Sequence, residues 1–362
     1  MRSLLVIFFA GTMLGVGQVP EPALQIDLQS HGWRADHGAL NGTMLPYRID
    51  FANDGSLWVA FPSGPSNALQ TREASGRYGG KVLHIAASGE IAGDCDTGPQ
   101  RWEFLRLFAQ RAGGFTLETA GKLVAYDAHC KERATFPTDE WTEISPSPDR
   151  ALIYARTRDN HVRVLNSNNL QVTKELDLPE SVQRNHVLFG DQSVIFPVRV
   201  RTRGCWQSNF SRIEINTGRI TPWLTLECAR FNLLGDGHVI YTKLRGDNPL
   251  EITGESGVPT ATYKPPHGAY IDRKVLVITP VVSPRSLRVV EELIKAKGRH
   301  PALDVSGKFV GREIVLLDMH TGTALLSIRV PMDTHTYSYA LSRDGKKLAV
   351  LRDSRITVYS GP

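Results

Sequence analysis

The last part of the chain alternates apolar and polar positions over three short stretches separated by turns. From 337 to 362 its sequence is YSYALSRDGKKLAVLRDSRITVYSGP, in which apolar residues alternate up to Leu341 and then recur in LAVL and ITVY. A period of two predicts β-strands, and Asp344-Gly345 predicts a tight turn between the first two of them. The pattern therefore predicts a three-stranded antiparallel unit.

The same pattern recurs along the chain, and each copy carries a turn after its third strand. The second residues of these turn pairs are spaced by 41, 39, 49, 39, 65 and 39 positions. A repeat near 40 residues is typical of β-propeller blades. The sequence predicts an all-β, seven-bladed β-propeller, with six or eight blades as the alternative. The turn pairs are Ser88-Gly89, His129-Cys130, Asn168-Asn169, Thr217-Gly218, Ser256-Gly257, Thr321-Gly322 and Ser360-Gly361.

The seventh unit has three strands of its own, so its fourth strand must come from elsewhere. The run from Ala23 to Gln29, ALQIDLQ, alternates in the same way and belongs to no other unit. Pairing this run with the end of the chain would close the ring and leave no open sheet edge. We therefore expect an N-terminal strand to complete the last blade.

Two spacings exceed the period, and both excesses fall between the second and third strands, in blades four and six. The first surrounds Gly204-Cys205-Trp206, and the second is an insertion at 282–311. In a propeller, the connections between second and third strands emerge on the same face as the links between blades. We call this face the insertion face. The second insertion is predicted to contain a helix. Its signals are a cap, an apolar stripe and a terminating glycine, at Ser283, Leu287, Val290, Ile294 and Gly298.

The four cysteines predict two disulfides, because an even number in an exported chain is usually paired and no CxxC spacing indicates zinc. Cys205 lies in the insertion of blade four and Cys228 in the link that follows that blade, so both start on the insertion face. We expect them to pair. Cys95 and Cys130 then remain as the second pair, although they start on opposite faces.

The N-terminal segment predicts the compartment. Met1-Arg2 supplies positive charge, Leu4 to Val16 is apolar and uncharged, and small residues precede position 18. This is the organisation of a signal peptide, here 1–17, followed by a single propeller domain at 18–362. The alternative is an uncleaved anchor, but glycines shorten the apolar run below the roughly 20 residues that a span needs. We expect a periplasmic or extracellular monomer with no membrane span after cleavage.

The charge of the chain indicates no polyanionic partner. The net charge is +5 over 362 residues, and the alternating Arg199, Arg201 and Arg203 lie on one face of a predicted strand. Such a row can meet an anion. No aromatic residue is interleaved with these arginines, so we expect a solvated outer face and no nucleic acid.

Two phrases resemble a known repeat. SRDGKKLAVLRDSRITVY and SPSPDRALIYARTRDNHVRVLNS resemble the YVTN-type, WD40-like propeller repeats of exported bacterial proteins. Families that share this repeat include sugar lactonases and subunits of amine dehydrogenases. The Gly-His and Trp-Asp dipeptides of true WD40 repeats are absent, and no catalytic motif of those enzymes is found here. The resemblance therefore implies the fold and no particular activity.

Candidate chemistry lies where the innermost strands are predicted to begin, at one mouth of the central channel. Three of these starts carry histidine, at His186, His267 and His335, and two others carry Glu143 and Arg230. Neutral imidazoles that converge can bind a divalent transition metal or act as acid and base near neutral pH. The competing interpretation is that a channel mouth is simply wet and polar.

Two functions follow from these observations. The first is a binding module of the cell envelope that needs no cofactor and holds a protein or small-molecule ligand on the insertion face. The alternative is an exported metal-dependent hydrolase or lyase, acting on a sugar-like or lactone substrate at the channel. The sequence contains no recognisable catalytic motif, which favours the first.

Overall fold

The computed structural model describes most of the chain beyond its first 20 residues. Within the described part the regular structure consists of β-strands and one 3-10 turn, Leu28–His31, with no α-helix. The described residues are 21–33, 43–44, 48–63, 77–101, 106–119, 121–139, 142–180, 182, 187–190, 192–202, 204–233, 239–243, 250–253, 258–263, 275–282, 288–296, 309–331 and 336–361.

The strands follow one another in chain order. The first fourteen are β1 (Leu24–Asp27), β2 (Thr43–Met44), β3 (Ile49–Phe51), β4 (Leu57–Pro62), β5 (Arg77–Ile85), β6 (Ile91–Arg101), β7 (Arg106–Ala109), β8 (Phe115–Thr119), β9 (Lys122–Tyr126), β10 (Glu132–Pro137), β11 (Glu143–Pro146), β12 (Leu152–Arg156), β13 (His161–Asn166) and β14 (Val172–Asp177). The rest are β15 (Leu188–Phe189), β16 (Ser193–Thr202), β17 (Cys205–Glu214), β18 (Ile220–Glu227), β19 (Ala229–Leu233), β20 (Val239–Lys243), β21 (Leu250–Thr253), β22 (Pro259–Tyr263), β23 (Val275–Val282), β24 (Arg288–Ala296), β25 (Phe309–Asp318), β26 (Ala324–Val330), β27 (Thr336–Leu341), β28 (Lys347–Arg352) and β29 (Arg355–Ser360).

These strands form one five-stranded sheet and six four-stranded sheets. Sheets 1 to 6 each take four consecutive strands, from β3–β6 to β23–β26, in simple antiparallel order. Sheet 7 contains β27, β28 and β29, with β1 on one edge and the short β2 on the other. Six of the seven predicted turn pairs lie in the described part, at or just after the end of the third strand of a sheet.

Aspartates shape the turn between the first and second strands of several sheets. Asp149 Oδ1 accepts hydrogen bonds from Ser147 Oγ (2.7 Å) and from the amide two residues later. Asp344 Oδ1 accepts from Ser342 Oγ (2.6 Å). Asp54 Oδ1 accepts from the backbone N–H of Ser56 (2.9 Å), two positions later. A side-chain acceptor that captures a nearby backbone N–H favours a turn over a continued strand. This chemistry explains why the Asp-containing turns recur with the repeat.

The core consists of apolar layers between successive sheets. Middle strands are buried on both faces, as in β28, whereas outer strands such as β14 show one buried position among exposed ones. Separate buried clusters join sheets 7 and 1, 1 and 2, 2 and 3, 3 and 4, 4 and 5, and 6 and 7. Between sheets 5 and 6 the backbones approach closely, because a Cβ built on Gly322 would lie 2.4 Å from the Thr262 carbonyl oxygen. Each sheet is therefore covered by its neighbours.

The two ends of the chain share one sheet, as predicted. Strand β1 pairs antiparallel with β29, with Leu24 opposite Val358 and Asp27 opposite Arg355. Ile26 and Ile356 then bury their side chains in the cluster between sheets 7 and 1. This pairing satisfies the edge of β29 that would otherwise be open.

The predicted helix in blade six is wrong. Strand β24 runs through the segment, and Val290 pairs with Val281 on one side and with Leu316 on the other. The apolar pairs in this stretch fit both a helical stripe and a strand, and the β-branched residues favour the strand once it has partners on both edges. The insertion at 282–311 therefore contains the second strand of sheet 6. The described part of its first strand begins at Val275, and the predicted start at His267 lies outside the described residues.

Candidate functional site

The structure describes part of the predicted channel-mouth set. Glu143 is the first residue of β11, and Arg230 is the second residue of β19. His186, His267 and His335 lie outside the described residues, so the metal site they would form stays a prediction. Among the residues that are described, no group of three or more His, Cys, Asp or Glu side chains is placed to hold a metal ion.

Glu143 is engaged by a buried arginine. Arg156, whose side chain is 1% exposed, lies with its Nη1 3.2 Å from Glu143 Oε2. The same guanidinium donates to Asn160 Oδ1 from Nε (3.1 Å) and to the Val182 carbonyl oxygen (3.3 Å). A buried guanidinium needs such partners to offset its lost hydration. Glu143 therefore stabilises the buried Arg156 guanidinium.

A second ion pair lies beside it. Arg106, the first residue of β7, has its Nε 3.1 Å from Glu118 Oε2 and donates from Nη1 to the Ile144 carbonyl oxygen (2.8 Å). Burial raises the pKa of Glu118 to about 7, although the charge of Arg106 opposes this shift. Sequence reasoning missed Glu118. Its signal was a carboxylate inside the otherwise apolar and neutral run FTLET.

Polar side chains also converge at the opposite ends of the first strands. Arg343 Nη1 donates to Asn53 Oδ1 and to the Asp149 carbonyl oxygen (3.0 Å), and Arg111 Nη1 lies 2.9 Å from Asp149 Oδ2. Asn53 in turn donates from Nδ2 to the Arg111 carbonyl oxygen (3.4 Å). These contacts connect the turns of sheets 7, 1, 2 and 3.

A buried carboxylate, Asp50, lies in β3 close to these turns. Asp50 accepts from Arg150 Nη2 (2.8 Å) through one oxygen and from the Ala109 amide (3.0 Å) through the other. Burial raises the pKa of Asp50, and Arg150 and the amide act against that shift. Each Asp50 oxygen thus accepts from a donor of another sheet, and Asp50 connects sheets 1, 2 and 3.

Both predicted disulfides are formed. Cys95 pairs with Cys130 at a Cα–Cα distance of 5.4 Å, and Cys205 pairs with Cys228 at 5.2 Å. Cys95 lies within β6 rather than in a link between blades. Its disulfide joins this strand of sheet 1 to the turn after β9 in sheet 2. The second disulfide sits at the end of the hairpin formed by β16 and β17, where Thr202 pairs with Cys205.

This long hairpin presents an exposed aromatic residue next to arginines. Trp206 is 52% exposed and lies directly opposite Arg201 in the ladder. Arg199, two positions from Arg201, places its Cζ 5.4 Å from the centroid of the Phe231 ring. We call Arg199, Arg201 and Trp206 the tip face. The aromatic residue that the arginine row lacks in sequence is thus supplied by the neighbouring strand.

A shallow depression lies elsewhere on the insertion face, beside the connection between β12 and β13. His161 is fixed there by Asp177, with Nδ1 2.7 Å from Oδ1, and hydrogen bonding to that carboxylate raises the pKa of His161. Acidic and basic groups alternate around the depression and select for no single ligand charge. Its lining residues are Asp139, Thr157, Arg158, Asp159, His161 and Arg163.

Comparison with known proteins identifies the fold. No protein-family model and no curated protein matches the sequence. Among solved structures, the chain is similar to the C-terminal WD40 domain of Sif2, at a TM-score of 0.53 and 10% identity, over 96% of this chain and 100% of that one. WD40 repeats build β-propellers. The chain is a β-propeller.

A second solved structure agrees with this assignment. A chain of the mitotic checkpoint complex matches the propeller at a TM-score of 0.52 and 12% identity, over 99% of both chains. At such low identity these similarities establish the fold alone. No helix in the described ranges is long and apolar enough to cross a membrane.

Proposed function

We propose that this propeller is an exported binding module of the cell envelope that holds a protein partner on its insertion face. Export is supported by the predicted signal peptide at 1–17 and by two disulfides, which persist in oxidising compartments. One structural neighbour is a chain of the mitotic checkpoint complex. A rigid propeller that carries loops on one face suits the same kind of task.

We also infer that the seven sheets are seven blades of one closed ring. The buried clusters between successive sheets, the close approach of Gly322 to Thr262 and the pairing of β1 with β29 support this count. A closed ring leaves only short, protected edges. Partner binding would then use loops and hairpins rather than an added strand.

The observation that carries the proposal is the exposure of Trp206. Tryptophan is a frequent anchor of protein interfaces, because one side chain supplies a large contact area with few rotatable bonds. Trp206 lies next to Cys205, whose disulfide ties the hairpin end to Cys228, and the Cys228 amide donates to the Trp206 carbonyl oxygen (3.1 Å). The aromatic side chain is therefore presented from a fixed backbone.

Site-specific crosslinking tests the proposal. A photo-crosslinking amino acid placed at position 206 should capture one defined envelope protein, whereas the same group at Val172, exposed on the outer strand β14, should not. The captured protein must then bind the purified propeller, and Trp206→Ala should weaken that binding by at least about tenfold. Equal capture from both positions, or unchanged affinity in the variant, would refute the proposal.

The enzymatic alternative has one observation in its favour. A carboxyl group with a pKa near 7, Glu118, lies beside the first strands at the mouth where the histidines are predicted, and shifted carboxyl groups are common at catalytic sites. Metal analysis of the purified protein with and without His267→Ala tests this second candidate. A stoichiometric metal that is lost in the variant supports a hydrolase or lyase, and no metal in either protein argues against it.

A further inference from the structure

We propose that the tip face binds an acidic peptide segment with an apolar or aromatic residue close to its carboxylates. This inference rests on the proposed function and specifies the partner. It follows from the charge, the side-chain arrangement and the rigidity of Arg199, Arg201 and Trp206.

The charges of the tip face are unpaired within the described residues. Arg199 and Arg201 appear in no ion pair with a described residue, and side chains two positions apart on a strand share a face. The acid nearest to the tip in the ladder, Glu227, pairs with Gln207 and so belongs to the opposite face. The charged side chains described on this face near the tip are therefore all basic. A ligand that supplies carboxylates would complement them.

The side chains of the tip face are arranged to make two kinds of contact at once. Residues directly opposite in an antiparallel pair have Cβ atoms about 5 Å apart, so Trp206 and Arg201 stand side by side. The Arg199 guanidinium lies over the Phe231 ring, and this cation–π contact helps to hold it in position. A partner that places a ring or aliphatic side chain on Trp206 can then place a neighbouring carboxylate against Arg201 or Arg199. Bidentate arginine–carboxylate contacts are among the stronger polar contacts in proteins.

The tip face is held on a fixed backbone. The disulfide of Cys205 and the hydrogen bond from the Cys228 amide hold the end of the hairpin next to the start of sheet 5. Lower down, Ile195 and Phe210 on the same face pack into the buried cluster between sheets 4 and 5. A binding face that is ordered before the partner arrives loses less entropy on association.

Single-stranded nucleic acid is the other ligand that aromatic and basic side chains attract. Proteins that bind it stack successive bases on several aromatic side chains and contact at least about four nucleotides per site. The described tip face has one exposed ring, Trp206, and two guanidinium groups. This footprint matches a few residues of peptide better than a strand of nucleic acid.

Fluorescence anisotropy with defined probes tests the inference on the full-length mature protein with its disulfides intact. The probe is a labelled peptide of about ten residues, rich in Asp and Glu around one Phe, and its control replaces each acid by the corresponding amide. A labelled oligothymidylate of similar length tests for nucleic acid. The acidic peptide should bind at least about tenfold more tightly than the amide control, and salt should weaken its binding.

Variants locate the binding on the tip face. Arg201→Gln and Trp206→Ala should each weaken peptide binding by about tenfold or more, because each removes one of the two contacts. Val200→Ala, on the opposite face of the same hairpin, and Arg329→Gln, exposed on the outer strand of sheet 6, should change it less than about twofold. Circular dichroism of each variant must match the wild type.

The outcomes separate the two proposals. If the acidic peptide binds no better than its amide control, if oligothymidylate binds in preference, or if Arg201→Gln has no effect, the inference is wrong. If Trp206→Ala still abolishes binding of the crosslinked envelope protein in that case, the proposed function stands with a partner of different chemistry. If neither variant affects either ligand, both proposals fail.

Discussion

Replacement of Glu118 by glutamine is expected to change how the stability of the propeller depends on pH. The Glu118 carboxyl is buried between strands and pairs with Arg106, yet its pKa rises to about 7 from an ordinary value of 4.5. The folded protein therefore holds the Glu118 proton more tightly than the unfolded chain does. This group contributes stability below pH 4.5, and that contribution is lost as the pH rises through 7.

The magnitude follows from the size of the shift. Each pKa unit corresponds to about 1.4 kcal/mol, so the difference between 4.5 and 7 makes the contribution of Glu118 about 3 kcal/mol less favourable at pH 8 than at pH 4. Glutamine has nearly the same shape and does not titrate, so it removes the charge of Glu118 without opening a cavity. Glu118→Gln should therefore gain about 3 kcal/mol relative to wild type over this pH range.

Urea unfolding of both proteins at intervals between pH 4 and pH 8 measures this gain directly. The difference between the two curves isolates one group, since every other titration is common to both proteins. Glu90→Gln, an exposed residue after the third strand of sheet 1, controls for the chemical change itself. If the free energy of unfolding of wild type and Glu118→Gln stayed parallel across the range, the burial argument for Glu118 would be refuted.

Two further substitutions test the contact between sheets at Asp50 and a tight turn within sheet 2. Asp50→Ala should cost about 3 kcal/mol, because it leaves the partly buried Arg150 guanidinium and the Ala109 backbone N–H without their acceptor. Asp94→Ala, in an exposed pair, should cost less than about 1 kcal/mol, and denaturant unfolding measures both. Gly114→Ala should reduce the yield of folded protein, because its Cβ would lie 2.3 Å from the Tyr126 carbonyl oxygen. The control Gly113→Ala meets nothing within 4 Å and should cost only about 1 to 3 kcal/mol of backbone strain. Equal thermal midpoints for these two variants would contradict this reasoning.

Local sequence patterns predicted the strands and their order well. The alternation around Leu348 and Ile356 and the Asp-containing turns are local signals, and the structure follows them. The pairing of the N-terminal run with the last strand was also predictable, because a three-stranded final unit lacked one partner. The helix in blade six failed because Val290 and Ile294 satisfy both periods, and only the strands on either side decide between them.

The candidate site was far less predictable, because it depends on which residues meet across strands. Arg201 and Trp206 are opposite one another only because the hairpin turns after Thr202, a register that the arginine spacing did not show. The pKa of Glu118 likewise depends on burial by neighbouring sheets rather than on its adjacent residues. Glu143 lies at the start of a strand, as predicted, but its partner Arg156 comes from the next strand.

The pairing of β1 with β29 has a mechanical consequence. Because Leu24 lies opposite Val358, the two strands leave sheet 7 at the same end of their shared ladder. A tension applied between the two chain termini would load the hydrogen bonds of this ladder one after another, starting at that end, and would peel the strands apart. Heat or denaturant must instead disrupt the ladder together with the buried layers on both sides of it. We therefore expect a pulling force on the termini to separate β1 from β29 without first disrupting the core, which heat cannot do.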